Sequence, residues 1–371
     1  MTARTPPVTL TPLLGLPEVR EGDNLAAMML TALQDNGIQL MDGDILVVSS
    51  KVVSKAMGLH APSTEQDDVV LSQTVRIVAE RTTPTGVTRI VESAAGPVMT
   101  AAGVDASNTA DESIVLILPE DPDAVAAQIR DGVQAGWAEI SGRQLVTGVI
   151  LSDTAGRPWR NGQTDFALGA AGIQVIEDLR GSMDANGRAL SVTERCVADE
   201  IAAAADLVKG KTTGVPAAHI RGLGHCVQDG HHGGADGEPP SGARNLVRTG
   251  PQDWFGYGMV EAVRAALGVG PGSAAAAEVG IPSIFPEDVA TRAIRAIRVA
   301  LQFCPSASAD IDGNTIALVA PDDFTLGVAA TRTEVALHGE GLTTTLADSS
   351  ARTLVTNDHL TNPPSVLIVF Q

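Results

Sequence analysis

Lysine, aromatic rings, cysteine and long apolar runs are all scarce in this chain. Phe, Trp and Tyr together make up 3% of 371 residues, so a hydrophobic content of 44% has to be mostly Ala, Val, Leu and Ile. That composition builds a folded core and not a disordered chain. A length of this size is a prior for two domains. No N-terminal apolar run follows a basic stretch, and none reaches the roughly 18 residues a bilayer span needs, so no targeting leader or membrane helix is expected. The three cysteines, Cys196, Cys226 and Cys304, are odd in number and far apart, the pattern of reduced thiols in a cytoplasm.

Positive charge is short as well. Against 44 acidic residues stand 25 basic ones, for a formal net charge of −19. Such a surface repels nucleic acid and anionic membrane, which argues against both as partners. It repels phosphorylated ligands equally, so any phosphate site has to be built from local cations, backbone N–H groups or bound metal. Only four basic residues are lysines, and they fall as two close pairs, Lys51 with Lys55 and Lys209 with Lys211. An ammonium is a compact point charge where guanidinium is a broad fork, and it fits where phosphate oxygens crowd a metal. Chance leftovers of an Arg-biased composition give the same pattern.

Strands alternate with helices, which predicts a mixed α/β sheet. Ile45 to Ser50 reads as a buried strand after a helix over about Asn24 to Asn36, capped by Asp23 and stopped by Gly37. Ile114 to Leu118 is a short strand. Pro122 opens a helix through about Gln134. Leu145 to Leu151 is a third strand and runs into Ser152-Asp153-Thr154, read as a strand-end loop. Glu194 to about Lys209 is helical and Val215 to Ile220 returns as a strand. Gln228 to Ala243 has no apolar residue larger than Ala or Pro and reads as a surface loop, and Gly268 to Gly280 as a linker. A helix from Pro286 to Phe303 and strands at Thr315 to Val319 and Ser365 to Phe370 follow. The expected division is 1–257 and 258–371.

Several phosphate motifs fail. Gly210-Lys211-Thr212 looks like the tail of a P-loop, but the earlier glycine would sit at Ala205 and the triplet ends a helix instead of opening one. No G-x-G-x-x-G follows a strand. His225, His231 and His232 with Cys226 match no zinc spacing. More informative are two acidic motifs, Gly103-Val104-Asp105-Ala106-Ser107-Asn108 and Ser152-Asp153-Thr154-Ala155-Gly156-Arg157. Each places a carboxylate beside hydroxyl or amide oxygens, the hard donors Mg²⁺ and Mn²⁺ prefer. Both also read as ordinary turns and caps. The second continues through Arg157, Trp159 and Arg160, and arginine grips carboxylate or phosphate in a bidentate way.

Taken in order, the segments resemble one family. They are Leu14-Gly15-Leu16-Pro17, V-V-S-S-K-V-V-S-K from Val47 to Lys55, A-A-G-V-D-A-S-N from Ala101 to Asn108, and S-D-T-A-G-R-P-W-R-N-G-Q-T-D from Ser152 to Asp165. V-A-D-E-I-A-A-A-A-D-L-V-K-G-K from Val197 to Lys211 completes the set. The set is similar to the coenzyme F420-0:L-glutamate ligases, over roughly residues 10 to 257. The resemblance implies a family-specific mixed α/β ligase fold, with a small C-terminal α/β domain beyond it. It implies GTP as co-substrate, coenzyme F420-0 and L-glutamate as substrates, an acyl phosphate intermediate, further γ-linked glutamates, two Mg²⁺ or Mn²⁺ ions and a homodimer.

Carried over by position, Asp105, Asp153 and Thr154 match metal ligands. Leu14, Gly15, Leu16, Pro17, Ser50, Lys55, Asn108, Lys209 and Lys211 match the nucleotide site, and Lys55, Arg157 and Arg160 are the candidates for catalysis. Two departures stand out. Lys211 occupies a place where archaeal members have a Glu or Gln metal ligand. The C-terminal third lacks the flavin-binding pattern of a nitroreductase-like domain, so no flavin is expected. A ligase of the same fold for another carboxylate, or a coenzyme-binding homologue without turnover, remains open on sequence.

Overall fold

The structure is a computed structural model and describes residues 7–107, 109, 111–228, 242–347 and 363–371. It is a mixed α/β protein of two compact units, as the alternation of strands and helices predicts. The units are not consecutive stretches of chain. One holds the chain up to Val75 and Glu92–Arg248; the other holds Arg76–Val91 and everything from Thr249. Among the described residues no helix is long and apolar enough to cross a membrane.

The first unit is organised by a five-stranded sheet of β1 (Thr9–Pro12), β2 (Ile45–Ser49), β3 (Gly148–Arg157), β4 (Arg160–Ala171) and β5 (Ala217–Arg221). Their spatial order is β1-β5-β2-β3-β4. Only the central β2–β3 pair is parallel, with Ser49 opposite Ser152; the other neighbours run antiparallel. Alternate side chains of β2 leave opposite faces. Leu46 and Val48 join a core with α1 (Leu25–Asp35) and the helix of Pro122–Ser141, while Ile45 and Val47 join a second core with that of Val197–Lys209. We number Ser50–Ala56 α2, Pro122–Ser141 α3 and Val197–Lys209 α4.

Local sequence explains most boundaries. The α1 cap is Asn24, whose side chain accepts from the Ala27 N–H. The expected cap, Asp23, instead accepts from the Arg20 N–H. Helix α3 runs a full two turns past the expected Gln134 and ends at Gly142 in a left-handed conformation (φ 69°). Gly132 and Gly136 look like breakers but serve packing. A Cβ at Gly132 would stand 2.7 Å from the Ala26 Cβ, and one at Gly136 2.5 Å from Leu30 Cδ1, so both glycines let α1 approach. Just before β2, Asp44, 1% exposed, takes both arms of Arg221 at 2.9 and 2.7 Å, with His219 Nε2 2.9 Å away. Burial alone would raise this carboxyl, but Arg221, His219 and the Met41 N–H outweigh it and hold its pKa at about 2.

In the second unit, α5 (Met259–Ala266), α6 (Ala274–Val279), α7 (Val289–Leu301) and α8 (Asp323–Gly339) accompany a four-stranded antiparallel sheet. Its strands are β6 (Ser308–Asp312), β7 (Thr315–Val319), β8 (Thr344–Ala347) and β9 (Ser365–Phe370), in the order β6-β7-β9-β8. Ile316, Leu318, Ile368 and Phe370 meet Ala293, Ala296, Val299 and Leu337 in its core. Helix α6 lies in the stretch expected to be a linker, capped by Ser273. The segment 76–91 contributes Glu80, which pairs with Arg89 at 3.3 Å and whose N–H donates to Glu261. Inside, Glu340 takes Arg264 at 2.8 Å and Arg295 at 2.5 Å.

Candidate active site

The parallel β2–β3 pair fixes the centre of the site. With Ser49 opposite Ser152, the next residues, Ser50 and Asp153, stand side by side, and the Ser50 hydroxyl donates to Asp153 Oδ1 at 3.0 Å. The strand does not end before Asp153, as the sequence suggests. It continues to Arg157 and turns back as β4, pairing Asp153 with Phe166 and Thr154 with Asp165 across a bulge at Leu151/Ser152. The expected strand-end loop is therefore one arm of a hairpin.

Asp105 arrives from a different direction. Ala101, Ala102 and Gly103 all have positive φ (52°, 54° and 78°), a run that costs about 1 kcal/mol or more at each alanine. Gly103 is required there, since a Cβ would fall 2.2 Å from Leu118 Cδ1. Just beyond, Asp105 bridges Leu116 through both of its backbone groups and its side chain meets Lys51 at 2.8 Å. Burial works against the charged form, but Lys51 and Ser107 prevail and leave the Asp105 pKa below its usual value.

The two lysine pairs meet in one cleft of about 320 Å³. Lys51 and Lys55 lie one turn apart on α2. Lys209 ends α4, and Lys211 follows Gly210 (φ 66°). Lys55 pairs with Glu18 at 2.5 Å. Lys209 is 3% exposed and donates to Ser152 Oγ at 2.6 Å and Asp165 Oδ2 at 2.8 Å. Lys211 reaches the Thr154 hydroxyl, and Asp165 Oδ1 at 3.3 Å. Leu16 and Pro17 form part of the wall, on a loop turned by Gly15 (φ 82°) and held by Asn36 donating to the Leu14 carbonyl at 2.9 Å. The Leu14 side chain is exposed and does not line the cleft. Asn108 lies outside the described residues, as do His231 and His232.

Arg157 and Arg160 are not brought to this cleft. They face each other at the exposed tip of the β3–β4 hairpin, four residues past Asp153 or roughly 13 Å along the strand. A residue that sequence reading missed is Asp165, 3% exposed, on β4 opposite Thr154. Its signal is available only once the hairpin register is known. Burial raises its carboxyl, but Lys209, Thr154 and Lys211 hold its pKa below the usual value.

Whether the residues suit a divalent cation can be judged from charge. Among the described residues no three His, Cys, Asp or Glu side chains converge as a ready-made cage. Yet desolvation, with Asp105 and Asp165 nearby, pushes the Asp153 carboxyl up to about 6 in spite of hydrogen bonds from Thr154 and Ser50. A hard cation held by Asp153, Asp105 and the Thr154 oxygen would relieve that repulsion, so the donors fit one ion. At Thr154 the Lys211 ammonium already supplies a positive charge.

Comparison with known proteins agrees with this geometry. Residues 14–222 match the model of the F420-0:Gamma-glutamyl ligase family. The chain is 35% identical to the coenzyme F420:L-glutamate ligase of Halorubrum lacusprofundi over 261 residues, 65% of this chain and 96% of the relative. It is 40% identical to that of Methanothermobacter thermautotrophicus over 237 residues, 58% and 90% of the two chains. For Archaeoglobus fulgidus the figures are 36% over 231 residues, 58% and 88%. With the matched region carrying the cleft, both acidic motifs and all four lysines, this chain belongs to the F420-0:gamma-glutamyl ligase family.

Proposed function

We propose that this chain joins L-glutamate to coenzyme F420-0 in a GTP-dependent reaction, and that the cleft of the first unit is where it does so. The observation that carries the reading is the gathering of every lysine of a −19 chain around Asp153 and Asp165 in one cleft. Four ammoniums, each already beside a carboxylate, gathered at one cleft suit a triphosphate with its divalent ion.

In the proposed sequence a carboxylate oxygen of the acceptor attacks the γ-phosphorus of GTP. The bond to the β-phosphate oxygen breaks, GDP leaves and an acyl phosphate remains. The α-amine of glutamate then attacks the acyl carbon, phosphate leaves, and one proton is released as the amide forms. Bound Mg²⁺ or Mn²⁺ would neutralise phosphate charge, held by Asp105, Asp153 and Thr154. Lys51 and Lys55 face the nucleotide from α2; Lys209 and Lys211 face it from the end of α4. Leu16 and Pro17 shield one wall from water, which would otherwise hydrolyse the acyl phosphate. Arg157 and Arg160, at the hairpin tip, suit the acidic acceptor better than the phosphates.

By resemblance the working form is a homodimer in the cytoplasm, and the three free cysteines accord with a reducing compartment. The decisive assay mixes purified protein, GTP, Mn²⁺, coenzyme F420-0 and glutamate and reads product mass. A glutamate-dependent mass increase matched by GDP release is expected. GTP turnover only with a different acid would reassign the acceptor, and absence of any turnover would remove the enzymatic reading.

A further inference from the structure

Asp165 has no place in the reaction as described so far, yet it is the most heavily bonded side chain of the cleft. Oδ2 accepts from Ser152 Oγ at 2.9 Å and Lys209 Nζ at 2.8 Å; Oδ1 accepts from Thr154 Oγ1 at 2.5 Å and Lys211 Nζ at 3.3 Å. Three of these four donors, Thr154, Lys209 and Lys211, line the cleft themselves.

A carboxylate that merely balanced a buried lysine would need one ammonium. Asp165 holds two, and with Asp206 3.9 Å from Lys211 it fixes both ammoniums at the cleft wall. The hydroxyls are constrained too. The Thr154 proton is committed to Asp165, so its lone pairs are what the cleft meets, and the Ser152 oxygen, donating to the same carboxylate, is free to accept from Lys209. Without the carboxylate, Lys209 could not remain as an unpaired charge at that depth, and Lys211, half exposed, would keep only the Thr154 hydroxyl and the more distant Asp206.

We propose that Asp165 is a positioning residue: it locks the Lys209 and Lys211 ammoniums and the Thr154 oxygen into one array that receives the terminal phosphates of the nucleotide. The inference rests on the nucleotide reading above and extends it to a carboxylate in the cleft wall that acts through its neighbours.

The test is a double-mutant cycle on nucleotide affinity, measured by calorimetric titration with a non-hydrolysable GTP analogue and Mg²⁺, with melting temperature followed in parallel. Lys211→Ala and Asp165→Asn should each weaken binding about tenfold. In the Asp165→Asn background, Lys211→Ala should add less than about twofold, because the lysine has already lost its nearer carboxylate. Should Asp165→Asn fail to fold, the cycle is run with Asp165→Glu, which keeps the charge but shifts it by a methylene. Independent, additive effects would overturn the proposal, as would wild-type affinity in the Asp165 variant. If the wild-type protein itself binds no GTP analogue, the nucleotide reading falls and this inference with it, an outcome distinct from the other two.

Discussion

Asp165 in the first unit and Glu340 in the second are both buried carboxylates gripped by two cations, but the cations differ. Asp165 is held by lysines at the floor of an open cleft, whereas Glu340 is held by Arg264 and Arg295 in a closed interior. The second unit contains no lysine at all. Guanidinium forks satisfy a carboxylate from fixed directions and suit a permanent brace; ammoniums are compact and can also serve a passing phosphate. The aromatic rings divide the molecule in a similar way. Of ten in the chain, the second unit shows six well exposed, Trp254, Phe255, Tyr257, Phe285, Phe303 and Phe324, while the first shows only Trp159. Cation type thus separates the first unit from the second more clearly than amount of buried charge does.

The contrast can be broken most severely at Asp153. Asp153→Asn should lower the glutamate-dependent rate by roughly 10²–10³-fold while melting within a few degrees of wild type, because the carboxylate serves the cleft and not the core. Near-normal turnover would undo the assignment. Glu340→Gln should do the reverse. Leaving Arg264 without its counter-charge and Arg295 with Glu287 alone should cost about 3–5 kcal/mol, seen by calorimetry as early melting, with GTP-analogue affinity unchanged. A loss of affinity instead would mean that the brace also serves the chemistry.

Asp44 sharpens the comparison from within the first unit, since its partner is an arginine. Its folded pKa, about 2, lies below the ordinary 3.8. The stability it contributes is therefore present above about pH 4 and lost as pH falls through 2, and it amounts to about 2.5 kcal/mol. The stability gap between wild type and Asp44→Asn should be level well above about pH 4, where the carboxylate is ionised in both folded and unfolded chains, and shrink on acidification. A gap independent of pH would remove the ion pair as its cause. The smallest effect belongs to the hairpin tip. Arg157→Ala and Arg160→Ala should alter stability by less than about 0.5 kcal/mol, raising the KM for the acid acceptor but not for GTP.

The apolar runs of β2 and β9 were legible because each is short and continuous. The acidic motifs stood out because they concentrate carboxylates and hydroxyls in short windows. What remained hidden depends on partners distant in sequence. Asp165 acquires meaning only from the hairpin register that sets it against Thr154. The length of α3 was hidden because Gly132 and Gly136 break isolated helices, yet here Ala26 and Leu30 fill the space they leave. Helix α8 escaped notice because its apolar residues are spread around its circumference. The assignment of 76–91 to the second unit could not be read at all, for nothing in that segment announces that its partners come after Thr249.

That assignment has a consequence for how the protein is made. The segment of residues 76–91 leaves the ribosome well before Thr249, a delay on the order of ten seconds at ordinary elongation rates. Through that interval the nascent chain carries Arg81 and the Thr82 backbone without the Glu261 and Pro282 they will later meet. Any shortened version ending near Arg248 would make the wait permanent, so the second unit cannot be trimmed from the C-terminus without stranding a piece of itself.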